Sequence, residues 1–503
     1  MIYINENKVL IIMKLLTKQN KNKESNMRVK QKLKWFFKSF FLIFLSIPFL
    51  SNGNYSPNQD TSMNQNINNN NSGNVQLINT SNIKPEKINL NGKKGWKITI
   101  PGKRALATPA IVNGIIYLGG GFGSYEFYAF DAKTGTPVWA ERVSDDGPTA
   151  AVVKDRYVVF NTESCTIFVV DAKTGKMIWS RWLGDPLMSQ PAIANNIIYM
   201  AYPGTSGHML IALEIQSGKE IWKTSIAGDI ISSPVIYKDS VYLSTFDGTV
   251  YRYDCNNGRE IWKKQMNATS APWIQGEKIF VSRKEIKNNK PTEGVANLNK
   301  DNGKQENKKL WAQRDAIYLD GKTQDKSNYK INQKEDDTSV GFSTGPSTAK
   351  LNEAYENIGQ STVRGLWEYQ GSRPVYYNGK LYTTFGDAIV CLDPDTEKII
   401  WEKKFEGELE KVGGHLATPP SIAGEKIYIG TTTGWLLVYN IKDGKLAWKT
   451  DIGEPIRYQP AVMDGWVFIG TVSGTLYALN TDDLLATGWS MWGGSPSHNG
   501  KEM

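Results

Sequence analysis

The sequence predicts an all-β chain that folds as an eight-bladed β-propeller of four-stranded antiparallel blades. Three observations predict it. A short phrase ending in Trp recurs about every 40 residues, eight inner-strand starts align beside the phrases, and a lone Trp-bearing strand lies upstream of them. Because one blade cannot bury both of its faces, the units must stack around a ring.

The first unit, residues 108–140, shows how a blade is built. Pro109 opens a short apolar strand, and Asn113-Gly114 makes a tight turn into a second strand. A third strand leads to the turn Asp131–Gly135, where the Asp side chain can bond backbone amides and Gly accepts a positive φ. The fourth strand, 137–140, carries Trp139. Four short strands at this period are typical of a propeller blade.

Eight Trp residues are predicted to dock each blade on its neighbour. Seven of them end a copy of the phrase: Trp139, Trp179, Trp222, Trp262, Trp311, Trp401 and Trp448. The eighth blade lacks a phrase, and we expect the upstream strand around Trp96 to complete it and tie the ring shut. Trp489 and Trp492 compete for the same position. Burial of one such side chain contributes on the order of 2–3 kcal/mol.

The phrase Ala129-Phe-Asp131…Trp139 resembles the tryptophan-docking repeat of pyrroloquinoline-quinone-type propellers. The tail from Trp489 through His498 and Asn499 is similar to the same superfamily, so the resemblance covers roughly residues 95–500. It implies the eight-bladed fold. The family contains quinone-dependent dehydrogenases and non-catalytic scaffolds, and the chain is closest in character to the outer-membrane-protein assembly factors among the scaffolds.

Three regions are predicted along the chain. Residues 1–52 are expected to form a leader that starts at Met27, 53–92 an Asn- and Ser-rich disordered linker, and 93–500 the propeller with an insertion at about 312–370. The leader has a basic segment and then a twelve-residue apolar run, 39–50, which is typical of a secretory signal. An uncleaved anchor is the alternative, although about 20 apolar residues are needed to span a bilayer.

Charge and cysteine placement limit the class of protein. The net charge is +9, but residues 1–40 carry +8 of it, so the composition implies no basic surface on the propeller and no nucleic-acid partner. The first Cys is Cys165, so no Cys follows the apolar run for lipid attachment, in contrast to the assembly lipoprotein. Cys165, Cys255 and Cys391 occupy different places in their blades and are expected to be buried thiols.

The starts of the inner strands are predicted to form a polar ring at one mouth of the central channel. Its members are Thr108, Thr149, Gln190, Ser233, Ala271, Arg373, Thr418 and Gln459. The dehydrogenases, as the resemblance implies, hold their quinone with calcium, a carboxylate base and commonly an adjacent Cys-Cys pair. The ring contains no carboxylate, which calcium requires, and the chain has no Cys-Cys pair. Loop carboxylates such as Asp145, Asp146 or Asp229 remain able to reach in.

Further site signals favour local structural roles. A metal site is not indicated by the three histidines, because they lie in separate loops or tails without metal-ligand spacing: His208, His415 and His498. The Gly-rich stretch 119–123 joins two strands, so it does not match a phosphate loop, which joins a strand to a helix. No catalytic, cofactor or metal residue is therefore predicted.

The insertion is the predicted binding edge. Pro346 is predicted to start a helix with one apolar stripe. We expect the stripe to pack on its own domain, and the alternative is that it faces a partner. Trp367 and Tyr369 follow, and Arg373 is expected to project into the channel mouth. Long insertions within compact domains are often functional.

These observations predict an exported, non-catalytic scaffold that binds protein partners in the cell envelope. We expect a monomeric propeller in the periplasm of a Gram-negative bacterium, or at the periplasmic face of a membrane if the leader stays as a tether. No cofactor is expected. The alternatives are a pyrroloquinoline-quinone-dependent oxidoreductase that uses calcium, and a small-ligand sensor that uses the channel mouth.

Overall fold

The computed structural model describes residues 76–163, 165–184, 189–204, 207–316, 357–358, 363–409, 412 and 414–500. All of them belong to the compact unit Ser72–Met503. The predicted leader, most of the predicted linker and the helix predicted from Pro346 lie outside the described residues, apart from Asn357 and Ile358. The domain boundaries therefore stay predictions. No helix among the described residues is long and apolar enough to cross a membrane.

Three short strands precede the first complete blade. They are β1 (Gln76–Leu77), β2 (Glu86–Leu90) and β3 (Lys93–Thr99).

Blades 1 to 4 each consist of four consecutive antiparallel strands. Blade 1 contains β4 (Ala110–Val112), β5 (Ile115–Gly119), β6 (Glu126–Asp131) and β7 (Pro137–Arg142). Blade 2 contains β8 (Val152–Lys154), β9 (Tyr157–Asn161), β10 (Thr166–Asp171) and β11 (Met177–Trp182). Blade 3 contains β12 (Ala192–Ala194), β13 (Ile197–Gly204), β14 (Gly207–Glu214) and β15 (Glu220–Ile226). Blade 4 contains β16 (Val235–Tyr237), β17 (Ser240–Ser244), β18 (Thr249–Asp254) and β19 (Glu260–Gln265).

Blades 5 to 8 complete the ring. Blade 5 contains β20 (Trp273–Gln275), β21 (Lys278–Lys287), β22 (Lys290–Asn299) and β23 (Trp311–Asp315), and helix α1 (Val363–Glu368) precedes blade 6. Blade 6 contains β24 (Val375–Tyr377), β25 (Lys380–Phe385), β26 (Ala388–Leu392) and β27 (Ile399–Lys404). Blade 7 contains β28 (Ser421–Ala423), β29 (Lys426–Gly430), β30 (Trp435–Asn440) and β31 (Leu446–Asp451). Blade 8 contains β32 (Ala461–Met463), β33 (Trp466–Gly470), β34 (Thr475–Asn480) and, from the start of the unit, β3.

The predicted eight-bladed propeller and its closure by the Trp96 strand are confirmed. β3 pairs antiparallel with β34, and Trp96 lies opposite Ala478. Trp489 and Trp492 do not take that position, so the competing assignment is wrong. The first strands of blades 8 and 1 contact each other, as do those of blades 1 and 2, which places the first strand of each blade at the hub.

The Trp phrase forms the joint between neighbouring blades. Trp139 of blade 1 donates its indole N–H to the carbonyl of Ala172 in blade 2 at 3.0 Å, and Trp179 donates to Ile215 in blade 3 at 2.8 Å. Gly175, at the end of the blade 2 turn, has φ +73, and a Cβ added there would lie 2.7 Å from the Trp139 ring. The phrase needs Gly at this position because the backbone must approach the indole face closely.

Two blades carry a fifth strand on their outer edge. β1 pairs with β7 of blade 1, and β2 pairs with β3 of blade 8. In blades 2 to 7, as far as the chain is described, the fourth strand is the last member of its sheet. The outer edge of a blade in this ring can therefore accept a further extended segment.

Candidate functional site

The predicted ring lies at the face where the inner strands begin, and its side chains are buried. Thr108, Thr149, Ser233, Thr418 and Gln459 are each at most 3% exposed. Gln190 is also buried, at 8% exposed.

Several side chains of the ring form hydrogen bonds with other residues inside the protein. Thr108 donates its hydroxyl to the carbonyl of Gln459 at 3.0 Å, and Gln459 donates its side-chain amide to the carbonyl of Pro420 at 2.9 Å. Thr149 donates to Oδ1 of Asn161 at 2.6 Å. These contacts join blades and strands, so Thr108, Thr149 and Gln459 serve the internal structure of the ring.

Arg373 differs most from its predicted position. It was expected to project into the mouth, and that prediction is wrong, because its side chain is fully buried. The guanidinium stacks between two indoles, 5.1 Å from the ring centroid of Trp273 and 4.6 Å from that of Trp492. Its Nη2 donates to the carbonyls of Pro272, at 3.3 Å, and His498.

The segment 367–373, named the strap below, crosses the face where the inner strands begin. Trp367 packs against Phe122 of blade 1 and Tyr458 before blade 8, with ring centroids 5.6 and 5.4 Å apart. Gln370 accepts a hydrogen bond from the backbone N–H of Gln459 at 2.9 Å. The strap therefore connects the region before blade 6 to blades 8 and 1.

The strap residues were predicted as a binding edge, and their burial contradicts an accessible role. Trp367 is 6% exposed and Tyr369 is 8% exposed. Tyr369 donates its hydroxyl to the carbonyl of Thr269 at 2.8 Å and accepts from the hydroxyl of Ser232 through its own carbonyl at 3.2 Å. Both aromatic side chains of the predicted binding edge therefore pack against the body of the propeller.

The residues 489–500, named the tail below, cross the inner strands of several blades. The backbone N–H groups of Ile111, Ile193 and Ile236 donate to carbonyls of the tail at 2.7, 2.8 and 2.9 Å. Asn499 accepts from the N–H of Ile274 and donates back to its carbonyl, both at 2.9 Å. Trp489 exchanges both backbone hydrogen bonds with Val462. The tail thus binds blades 1, 3, 4, 5 and 8 together at the hub.

Sequence reasoning missed the tail as part of the hub. Its composition could have indicated this role, because Gly and Ser residues next to two Trp residues allow the chain to turn tightly around large buried rings. His498 is 1% exposed, and its two ring nitrogens lie 2.8 Å from the carbonyl oxygens of Trp492 and Pro191. Of the two expected states of His498, solvated or locally bonded, these contacts correspond to the second.

The carboxylates of Asp145, Asp229 and Glu163 bond to neighbouring loop and strand residues. Glu163 accepts the backbone N–H of Gly123 at 2.7 Å, and Thr162 donates to Asp145 at 2.5 Å. Burial, followed by the charge of Asp146, raises the pKa of Glu163 to about 7. Asp229 lies 3.0 Å from Nε2 of His208. In the part of the chain that the structure describes, no three His, Cys, Asp or Glu side chains converge as a metal site.

The residues at the mouth do not fit a quinone held with calcium. Trp367 and Gln370 of the strap cover the face where the inner strands begin. The ring itself offers hydroxyl and amide groups that are largely engaged within the protein, and its one charge, on Arg373, is stacked between Trp273 and Trp492. A large planar cofactor would have to displace these contacts.

The exposed apolar side chains lie mainly on the outer strands. In blades 1, 3, 4 and 6 the residue directly before the docking Trp is an exposed aliphatic: Val138, Ile221, Ile261 and Ile400, at 48%, 46%, 38% and 47%. In blade 6 the preceding Ile399 is also 47% exposed, and Trp182 at the end of β11 is 60% exposed. The outer surface therefore combines strand edges with apolar side chains.

Comparison with known proteins identifies the repeat. Residues 166–318 and 386–492, just over half of the chain, match a family model described as outer membrane protein assembly factor BamB. The chain is 28% identical over 120 residues to the BamB of Yersinia pestis, a match that covers 23% of this chain and 30% of that relative. The matched segment therefore spans about a third of the curated relative's length.

Quinoproteins show a similar local likeness. The chain is 28% identical over 109 residues to quinohemoprotein alcohol dehydrogenase ADH IIB of Pseudomonas putida, which covers 19% of this chain and 16% of the enzyme. Among solved structures, BamB from Moraxella catarrhalis superposes with a TM-score of 0.51 at 12% identity, over 79% of this chain and 99% of that chain. At this identity the structural likeness concerns the fold alone.

Proposed function

Since this chain belongs to the family of outer membrane protein assembly factor BamB, we propose that it is an exported, non-catalytic propeller scaffold. It binds protein partners in the cell envelope and acts in the assembly of outer-membrane proteins.

The observation that carries the proposal is the filled hub. The strap packs Trp367 between blades 8 and 1, and the tail occupies the inner strands of five blades. A propeller enzyme needs substrate access at a channel mouth, whereas a scaffold needs a stable hub and an accessible perimeter. The buried ring and the exposed aliphatic residues of the outer strands support the second arrangement.

The outer edges are the proposed partner surface. An edge strand carries backbone N–H and C=O groups that a further strand can pair with, and partner binding by strand addition uses them. β1 and β2 already occupy such edges in blades 1 and 8. In blade 6 the strand β27 combines such an edge with Ile399 and Ile400, and Lys403 and Lys404 at its far end limit unspecific pairing.

Location in the periplasm, or at the periplasmic face of a membrane, is part of the proposal. It rests on the predicted leader, residues 1–52, and on the family assignment. The leader either is cleaved or tethers the propeller to a membrane, and we propose a monomeric propeller in both cases.

Site-specific photo-crosslinking tests the proposal. A photoreactive amino acid replaces Ile400 in the full chain, and this variant is expressed in a Gram-negative host. Its crosslinked adducts are identified by mass spectrometry. The matched control is Leu484, which is 89% exposed in the turn after β34 and lies off the outer strands. Adducts with components of outer-membrane-protein assembly at Ile400 and not at Leu484 are expected. Absence of any envelope-protein adduct at Ile400 would contradict the proposal.

A quinone-dependent oxidoreductase is the second candidate, favoured by the local likeness to ADH IIB. It is tested by incubating the purified full chain with pyrroloquinoline quinone and calcium and assaying oxidation of alcohols and sugars. Turnover would overturn the scaffold proposal. The small-ligand sensor is tested by thermal-shift screening, because a ligand that binds the folded state raises the unfolding temperature.

A further inference from the structure

A cleft lies between the strap and blade 7, on the face where the inner strands begin. It holds about 470 Å³ of empty space, its open mouth included. The described residues around it belong to helix α1 and the strap, to blade 7 and to the segments before blades 7 and 8, so the cleft lies to one side of the hub. The lining residues that matter here are Tyr369, Gln370, His415, Pro419, Ile456 and Arg457.

Gln370 brings an unused hydrogen-bond donor to the wall of this cleft. Its Oε1 accepts from the backbone N–H of Gln459 at 2.9 Å, and this contact fixes the orientation of the amide, because an N–H needs an acceptor. The Nε2 on the other arm of the amide has no acceptor among the described residues. Gln370 is 4% exposed, and a buried donor without an acceptor is unfavourable.

His415 brings an unused acceptor, because a buried carboxylate behind it sets its tautomer. The hydroxyls of Thr269 and Ser372 both bond to Glu293, and a carboxylate only accepts, so both hydroxyls donate to it. Oγ of Ser372 also lies 3.3 Å from Nδ1 of His415 and must accept there, so Nδ1 carries the ring proton. Nε2 of His415 is therefore the acceptor nitrogen, and it has no hydrogen-bond partner in the described part of the chain.

The side chains that line the cleft carry no net charge near pH 7.5. Burial lowers the pKa of His415 below its usual value, so the imidazole is neutral. Arg457 lies with Nη1 3.5 Å from Oε2 of Glu368, and the two charges balance. A ligand of the cleft therefore needs an acceptor and a donor rather than a charge.

We propose that the cleft binds a neutral primary carboxamide, the head group of small free amides and of Asn and Gln side chains. The carbonyl oxygen accepts from Nε2 of Gln370, and the amide N–H donates to Nε2 of His415. A carboxylate has only acceptors and would place one of them against His415, whereas an ammonium has no acceptor for Gln370. Pro419 and Ile456 offer apolar surface to the carbon chain of the ligand. The site is separate from the outer edges proposed for partner binding.

Ligand-detected NMR on the purified full chain at pH 7.5 tests the site, with propionamide as the probe and propionate as its charged counterpart of similar shape. Propionamide is expected to bind saturably and about tenfold more tightly than propionate, because the carboxylate lacks the donor for His415. Competition by acetyl-glutamine methylamide would assign the carboxamide to a peptide side chain. Binding of propionamide without that competition would assign it to a free amide.

Two variants locate the bound amide. Gln370→Glu keeps an acceptor for the N–H of Gln459 and removes the unused donor, whereas His415→Asn keeps a donor for Ser372 and removes Nε2. Each is expected to weaken propionamide binding about tenfold. His208→Asn is the matched control, because His208 lies in blade 3 beside Asp229, and it should bind propionamide as the unmodified chain does.

The comparison of propionamide with propionate on the unmodified chain decides the outcome if neither variant folds, as judged by circular dichroism. Three results would overturn the proposal: no saturable binding of propionamide, equally tight binding of propionate, or unchanged propionamide binding in a folded Gln370→Glu or His415→Asn variant. None of them bears on the scaffold proposal, because crosslinking from Ile400 depends on neither Gln370 nor His415.

Discussion

The indole ring of Trp139 in blade 1 lies directly against Gly175 in the turn of blade 2, and its N–H is bonded to Ala172 three residues earlier. One side chain therefore makes both a close packing contact and a backbone hydrogen bond with the next blade. The same relationship holds between Trp179 and Gly218. It explains why the phrase couples a Gly to a Trp across a blade boundary.

Gly175→Ala tests the docking joint. The new methyl group would lie 2.7 Å from the Trp139 ring at a φ of +73, so both a clash and backbone strain are introduced. We expect a loss of about 2–4 kcal/mol in the free energy of unfolding, measured by urea denaturation. Gly114→Ala is the matched control. It has a φ of +74 but nothing within 4 Å, so it should cost about 1 kcal/mol.

The buried Glu163 predicts a pH dependence of stability. Burial raises the pKa of its carboxyl from 4.5 to about 7. The stabilisation of the folded state by the protonated carboxyl is therefore fully present below about pH 4.5 and is lost as the pH rises through 7. The free energy of unfolding is expected to fall by about 3 kcal/mol between pH 4.5 and 8 through this group. Glu163→Gln should remove that part of the slope.

The control for this measurement is Glu86→Gln, on the exposed strand β2. Urea unfolding at a series of pH values compares the two variants with the unmodified chain. An unchanged slope in Glu163→Gln would show that the carboxyl is not buried as described.

Trp367→Ala separates packing from partner binding. Trp367 packs against Phe122 and Tyr458, so its truncation leaves a cavity that should cost about 3–5 kcal/mol. Tyr369→Phe should cost about 1 kcal/mol through the lost hydrogen bond to Thr269. Neither variant, while folded, should lose crosslinking from Ile400. Loss of the adduct at unchanged stability would return the strap to the role of a binding edge.

Ile400→Lys tests the outer edge of blade 6. The side chain is 47% exposed, so the free energy of unfolding should change by no more than about 0.5 kcal/mol. Partner recovery in a pull-down from envelope extract is expected to fall at least tenfold, because a charge would be placed on a pairing surface. Leu484→Lys, at a more exposed site off the outer strands, should leave recovery unchanged.

Much of the fold could be predicted because its signals are local. Each turn from Asp to Gly, each Trp strand and each inner-strand start lies within one repeat of about 40 residues, so the repeats could be counted and aligned. Even the closure by Trp96 was predictable, since one blade lacked its fourth strand. The candidate site was predicted less well. Arg373, Trp367 and Tyr369 were recognised as unusual, but their burial was not.

By itself the sequence determined the number of blades, their strand order and the strand that closes the ring, because these follow from periodicity and turn chemistry within short segments. Only the tertiary structure decided what fills the hub. Arg373 meets His498 across 125 residues and Gln370 meets Gln459 across 89, in contacts between single segments that do not repeat. Such contacts leave no periodic pattern, because they depend on how the closed ring places distant parts of the chain side by side.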